Sequence, residues 1–139
     1  MDVKQLAQAS FDMFNDRSFR QKAKDFVDPN VVVTDVPTGQ ELNGVDGYVQ
    51  YNDGFVTAMP DLKGTAIEHQ VSGNKVTSRV RGQGTFTGNL QTPQGNVPGN
   101  GNRLDLEYQL EQEFNDAGKI VRVAAKYDIQ EFQRQLGVG

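Results

Sequence analysis

A chain of 139 residues with 36% hydrophobic content can bury roughly two-thirds of the surface its unfolded state exposes, enough for one core and no second lobe, so residues 1–139 read as a single domain. The net charge of -4, with no basic run and no interleaved aromatic stripe, makes nucleic acid a poor partner. Lack of cysteine excludes disulfides, thiolate metal sites and cysteine nucleophiles; with no secretory leader and no apolar run of about eighteen residues, a soluble, cytoplasmic protein is expected.

Along the chain, Val3, Leu6, Ala7, Phe11 and Phe14 recur at helical spacing, and Phe19, Ala23 and Phe26 continue the pattern over a second short helix. Pro29 stops helix propagation, and Val31-Val32-Val33-Thr34, β-branched throughout, reads as a short buried strand. After the Pro37-Thr38-Gly39 turn and Asn43-Gly44, a third amphipathic helix turns Val45, Tyr48, Val49, Phe55, Val56 and Met59 inward until Pro60 ends it. The period then changes to two. Thr65, Ile67, His69 and Val71 share one strand face, Ser72-Gly73-Asn74-Lys75 reverses the chain, and Val76, Ser78 and Val80 continue on a partner strand.

Residues 91–101, rich in Gly, Pro and Asn, read as one long loop and a candidate lid. Leu104, Leu106, Tyr108, Leu110 and Phe114 alternate with Arg103, Asp105, Glu107, Gln109, Glu111 and Glu113 in a half-buried antiparallel strand. Asn115-Asp116-Ala117-Gly118 turns it into a last strand, and Ile129, Phe132 and Leu136 close the chain as a short helix. The order predicts an α+β fold: a curved, mostly antiparallel sheet packed on about three N-terminal helices. Gly82 and Gly84, two apart within a strand-like run, let that sheet bend around a cavity.

Several polar residues compete for a place in such a cavity. Asp128-Ile129-Gln130-Glu131 has the form of a capping box, so Asp128 reads first as the N-cap of the terminal helix. Its strand phase, shared with Arg122 and Lys126, is polar unless a bulge shifts the register. His69, the one histidine, is in phase with Ile67 and Val71 and reads as a satisfied core residue before a pocket group. Asp35 either faces the cavity mouth or caps the Pro37-Thr38-Gly39 turn through its carboxylate. Tyr48, Tyr51, Tyr108 and Tyr127 are suitable cavity donors, since a buried phenol needs a partner. No spacing suits a metal, and neither a phosphate-cradling loop nor a nucleophile elbow is present.

Taken in order, Val32-Val33-Thr34-Asp35, Leu42-Asn43-Gly44-Val45, Ala58-Met59-Pro60-Asp61-Leu62, Gly84-Thr85-Phe86-Thr87-Gly88, Gly118-Lys119-Ile120-Val121 and Asp128 ahead of Gln135-Leu136-Gly137 resemble the SnoaL-like polyketide and ester cyclases. That family lies in the cone-fold superfamily with ketosteroid isomerase and nuclear transport factors. The resemblance implies a cone-shaped α+β barrel around a pocket for a small hydrophobic carbonyl-bearing ligand. It also implies a homodimer formed through the outer sheet face, where Glu107 to Glu113 would meet cations such as Arg79, Arg81 or Arg122. It further implies cofactor-independent cyclisation or isomerisation, with Asp128 as the base that removes a proton next to a carbonyl. His69, Asp35, Phe86, Tyr48 and Tyr108 would then contact substrate. The chain departs from the family pattern where Phe86 replaces a histidine, Thr34 another, and Val123-Ala124 a His-Trp pair. These replacements leave a second reading: a ligand-binding or assembly module that has lost the catalytic groups.

Overall fold

Helix α1 (Val3–Asn15) follows the apolar stripe and is started by the Asp2 carboxylate, which accepts from the Gln5 amide at 3.1 Å. Helix α2 (Phe19–Phe26) follows it. The corner between them is held by Arg17, whose φ of 67° lies in the left-handed region. Its guanidinium donates to the carbonyls of Phe14, Pro60 and Leu62 at 2.9, 2.9 and 2.7 Å, tying this corner to the far end of α3 (Gly44–Ala58). The structure, a computed structural model, describes residues 1–92 and 94–138.

Six strands form the main sheet: β1 (Val27–Asp35), β2 (Gln40–Asn43), β3 (Lys63–Ser72), β4 (Lys75–Thr85), β7 (Arg103–Phe114) and β8 (Ile120–Lys126), in the order β2-β1-β8-β7-β4-β3. Only β1 and β8 pair in parallel. Register breaks between Val27 and Val32, between Ala66 and Glu68, and between Glu113 and Phe114 add local twist, and the sheet curls over the three N-terminal helices. The chain closes with α4 (Ile129–Leu136), which Gly137 ends at φ 70°. The fold is the α+β cone expected from the sequence.

Four local expectations are corrected. β1 starts at Val27, ahead of Pro29, because the proline falls where the β1–β8 ladder is interrupted and needs no amide there. The Pro37-Thr38-Gly39 turn joins a hairpin, with β2 paired to β1 from Val32↔Asn43 to Asp35↔Gln40. Overlapping the expected loop 91–101, of which Pro93 lies outside the described residues, β5 (Asn89–Thr92) and β6 (Gly95–Pro98) form a small hairpin of their own. Ile67 and Val71 remain 45% and 49% exposed, because β3 is the sheet edge and its bulge breaks the inward phase.

Two apolar clusters fill the interior. One joins α1 and α2 to β1, β7 and β8 through Ala7, Ala23, Val27, Val33, Phe114 and Ile120. The other closes the opposite end with Met59, Phe86, Leu104, Phe132 and Leu136, and Leu90 and Val97 of the small hairpin pack against it.

Candidate active site

Between the concave face of the sheet, α1 and α3 lies a hollow, with Phe132 of α4 in its wall. Its volume is about 110 Å³, room for a small organic guest. Leu106, Tyr108, Leu110 and Gln112 project into it from alternate positions of β7, Val123 and Ala125 from β8, and Phe11, Tyr48 and Phe55 from the helices. Gly82 belongs to this wall for a steric reason: a Cβ there would stand 3.2 Å from the Tyr108 ring. The glycine leaves room for the phenol as well as easing the bend.

Four tyrosines reach the hollow, and two share one partner. Tyr51 of α3 and Tyr127, just past β8, donate to Asp35 Oδ2 at 3.1 and 2.9 Å. Asp35, at the end of β1, is 4% exposed, and its Oδ1 is sealed from solvent with no hydrogen-bond partner. Burial, then the charge of Asp35, drives both phenols well above their ordinary value of 10.0. Burial alone raises Tyr48 and pushes Tyr108 up to about 12, so both stay protonated donors at neutral pH. The turn after β1 uses the Asp35 main chain instead: the Gly39 amide donates to its carbonyl at 2.8 Å.

The other residues singled out from sequence are placed as follows. Tyr48 and Tyr108 line the cavity. Phe86 is fully buried in the second apolar cluster, away from the lining. His69 leaves the sheet toward α1, with Nδ1 2.6 Å from Ser78 Oγ and Nε2 2.9 Å from Gln8 Oε1. Because the Gln8 amide nitrogen donates to Asp12, its oxygen faces the ring, so Nε2 carries the proton and Nδ1 accepts from Ser78. His69 thus ties β3 to α1 outside the hollow. Asp128 is exposed at the N-cap of α4, where Oδ1 accepts from the Gln130 and Glu131 amides at 3.0 and 3.1 Å. It borders a shallow outer depression with Lys126 and Glu107, apart from the hollow.

The acidic outer row of β7 finds its cations within the same chain. Arg79 meets Glu107 at 3.0 Å, Arg81 grips Asp105 at 2.8 and 2.6 Å, and Lys126 meets Glu111 at 2.8 Å. This face needs no second copy for charge balance.

Sequence reading passed over Ser10 and Gln112, both in the cavity wall and 5% and 1% exposed. The signal was there: each interrupts an apolar phase, Ser10 between Ala7 and Phe11 and Gln112 between Leu110 and Phe114. The meeting of Asp35, Tyr51 and Tyr127 had no such signal, since 16 and 92 residues separate the partners.

The SnoaL-like polyketide cyclase family model matches residues 4–136, and the chain belongs to that family. Among solved structures, it resembles a SnoaL-like polyketide cyclase from Agrobacterium tumefaciens (24% identity, 99% of each chain covered, TM-score 0.78). It also resembles TsrD from Streptomyces laurentii (20% identity, 100% of this chain and 99% of that one, TM-score 0.81). A protein with a ketosteroid isomerase-like fold from Catenulispora acidiphila, solved with trimethylamine, is similar over 96% of this chain and 93% of its own (11% identity, TM-score 0.77). At these identities the likeness is one of fold. No curated protein matches the sequence. No helix among the described residues is long and apolar enough to cross a membrane.

Proposed function

We propose that the hollow takes a small, apolar, carbonyl-bearing molecule and isomerises or cyclises it by proton transfer, with Asp35 as the carboxylate in place of Asp128. The observation that carries this reading is a buried acid beneath two cavity-lining tyrosines, one of its oxygens unpartnered. A carboxylate is expensive to bury, and Asn would spare the charge, so its presence directly behind two tyrosines of the cavity wall supports a chemical use. Proton abstraction needs the guest either to reach Oδ1 or to displace one hydroxyl from Oδ2. The displaced phenol, still protonated, then becomes the donor to the enolate oxygen. The resulting enolate closes a ring or is reprotonated elsewhere.

A second reading, binding without turnover, is favoured by the same enclosure: Oδ1 is sealed and both neighbouring phenols are already engaged. D35N and D128N assayed on β-keto ester substrates separate the possibilities. The first reading expects D35N to lose at least about a hundredfold in kcat while D128N, whose asparagine can still cap α4, retains turnover. Loss confined to D128N would return the base to the cap position; no turnover by the wild-type chain, with binding intact, would favour the second reading.

A further inference from the structure

The polar pair in the cavity wall carries a direction. Ser10 Oγ donates its one proton to the Ala7 carbonyl, 2.6 Å away in the preceding turn of α1. The hydroxyl can therefore only accept from Gln112, which presents Nε2 to it at 2.9 Å. This orients the amide. Gln112 Oε1 is left sealed and without a partner, in a side chain 1% exposed within the wall of the mostly apolar hollow, so a guest reaches it only when that side chain shifts inward. An acceptor abandoned in such a wall costs free energy that a ligand donor would recover.

We infer that Ser10 is a positioning residue that locks the Gln112 amide with its oxygen toward the ligand, so that the cavity selects guests bearing a hydroxyl or N–H at that end. The guest class is an alcohol, phenol or enol on an apolar frame; a bare ketone or ester directed at the same place meets oxygen with oxygen. Removing the Ser10 hydroxyl frees the amide to turn and offer its N–H groups, which abolishes or reverses the selection.

This inference rests on the proposed use of the hollow as a ligand site, and three probes of one shape separate the two: tetralin, 1-tetralol and 1-tetralone, titrated calorimetrically. The expected result is that 1-tetralol binds the wild-type chain about tenfold or more tighter than 1-tetralone. The ratio should fall to near one, or invert, in S10A, and be lost in Q112L. Equal binding of alcohol and ketone to the wild-type chain overturns the inference without any variant, and a folded S10A that keeps the wild-type ratio overturns the role of Ser10. If none of the three probes binds, the ligand site itself falls.

Discussion

Asp35 shows why a residue's identity says less than its partners. Its carboxylate was free, on sequence grounds, to cap the following turn, yet the turn is closed by main chain and the carboxylate holds two phenols. Removing either phenol leaves a buried charge with fewer donors. We therefore expect Y127F to lose about 1–3 kcal/mol in urea unfolding, a larger effect than any single surface ion pair such as Arg79–Glu107 would give. A Y127F chain as stable as wild type would mean that the Tyr127–Asp35 bond contributes nothing net. Asp128 stands at the other extreme. Its cap was readable four residues at a time because cap and helix are local; the bonds to the Gln130 and Glu131 amides realise the N-cap half of the box, while the Glu131 carboxylate turns to Arg134.

At the level of elements, the small hairpin and the end of α3 depend on close backbone approach. The Gly88 amide donates to the Ala58 carbonyl at 2.9 Å, and a Cβ on Gly88 would stand only 1.9 Å from the Thr57 carbonyl oxygen. G88A must push the hairpin off α3, and we expect a loss of about 1–3 kcal/mol. Gly54, within α3, meets nothing within 4 Å, so G54A should gain about 0.5–1 kcal/mol from helix propensity. Thermal melts of the two variants should move in opposite directions; a fall for both would point to a general intolerance of α3. The hairpin escaped sequence reading because turn residues dominate its short strands, whereas β7 was legible from its long alternation.

For the molecule as a whole, two groups of titrating residues predict an asymmetric stability curve. Burial, aided by Lys4, lowers His69 below its ordinary 6.5, so the folded state takes up its proton less readily than the unfolded chain. That contribution is intact above 6.5 and diminishes as pH falls from there toward the lower folded value. Asp61 is held below 3.8 chiefly by the Thr85 amide, at 2.6 Å, and Glu111 below 4.5 chiefly by Lys126. Their contributions persist above those ordinary values and vanish as pH drops through the folded ones. Urea midpoints should therefore decline in two stages below neutrality, the first absent in H69Q. A first stage that survives H69Q would assign it to another group.

Periodicity, turn chemistry and capping act over a few residues, and from them the helices, the β3–β4 hairpin, the β7 alternation and the α+β class were already legible, while the cone was implied by the family resemblance. The wall residues Ser10 and Gln112 were visible too, as polar breaks in apolar phases. Which carboxylate the cavity tyrosines hold, which way an amide faces and whether a row of acids is neutralised within one chain depend on side chains that sequence holds far apart. Burial and hydrogen bonding act on distance in space, so those features emerged only when the curled sheet brought β1, α3 and the end of β8 to one place.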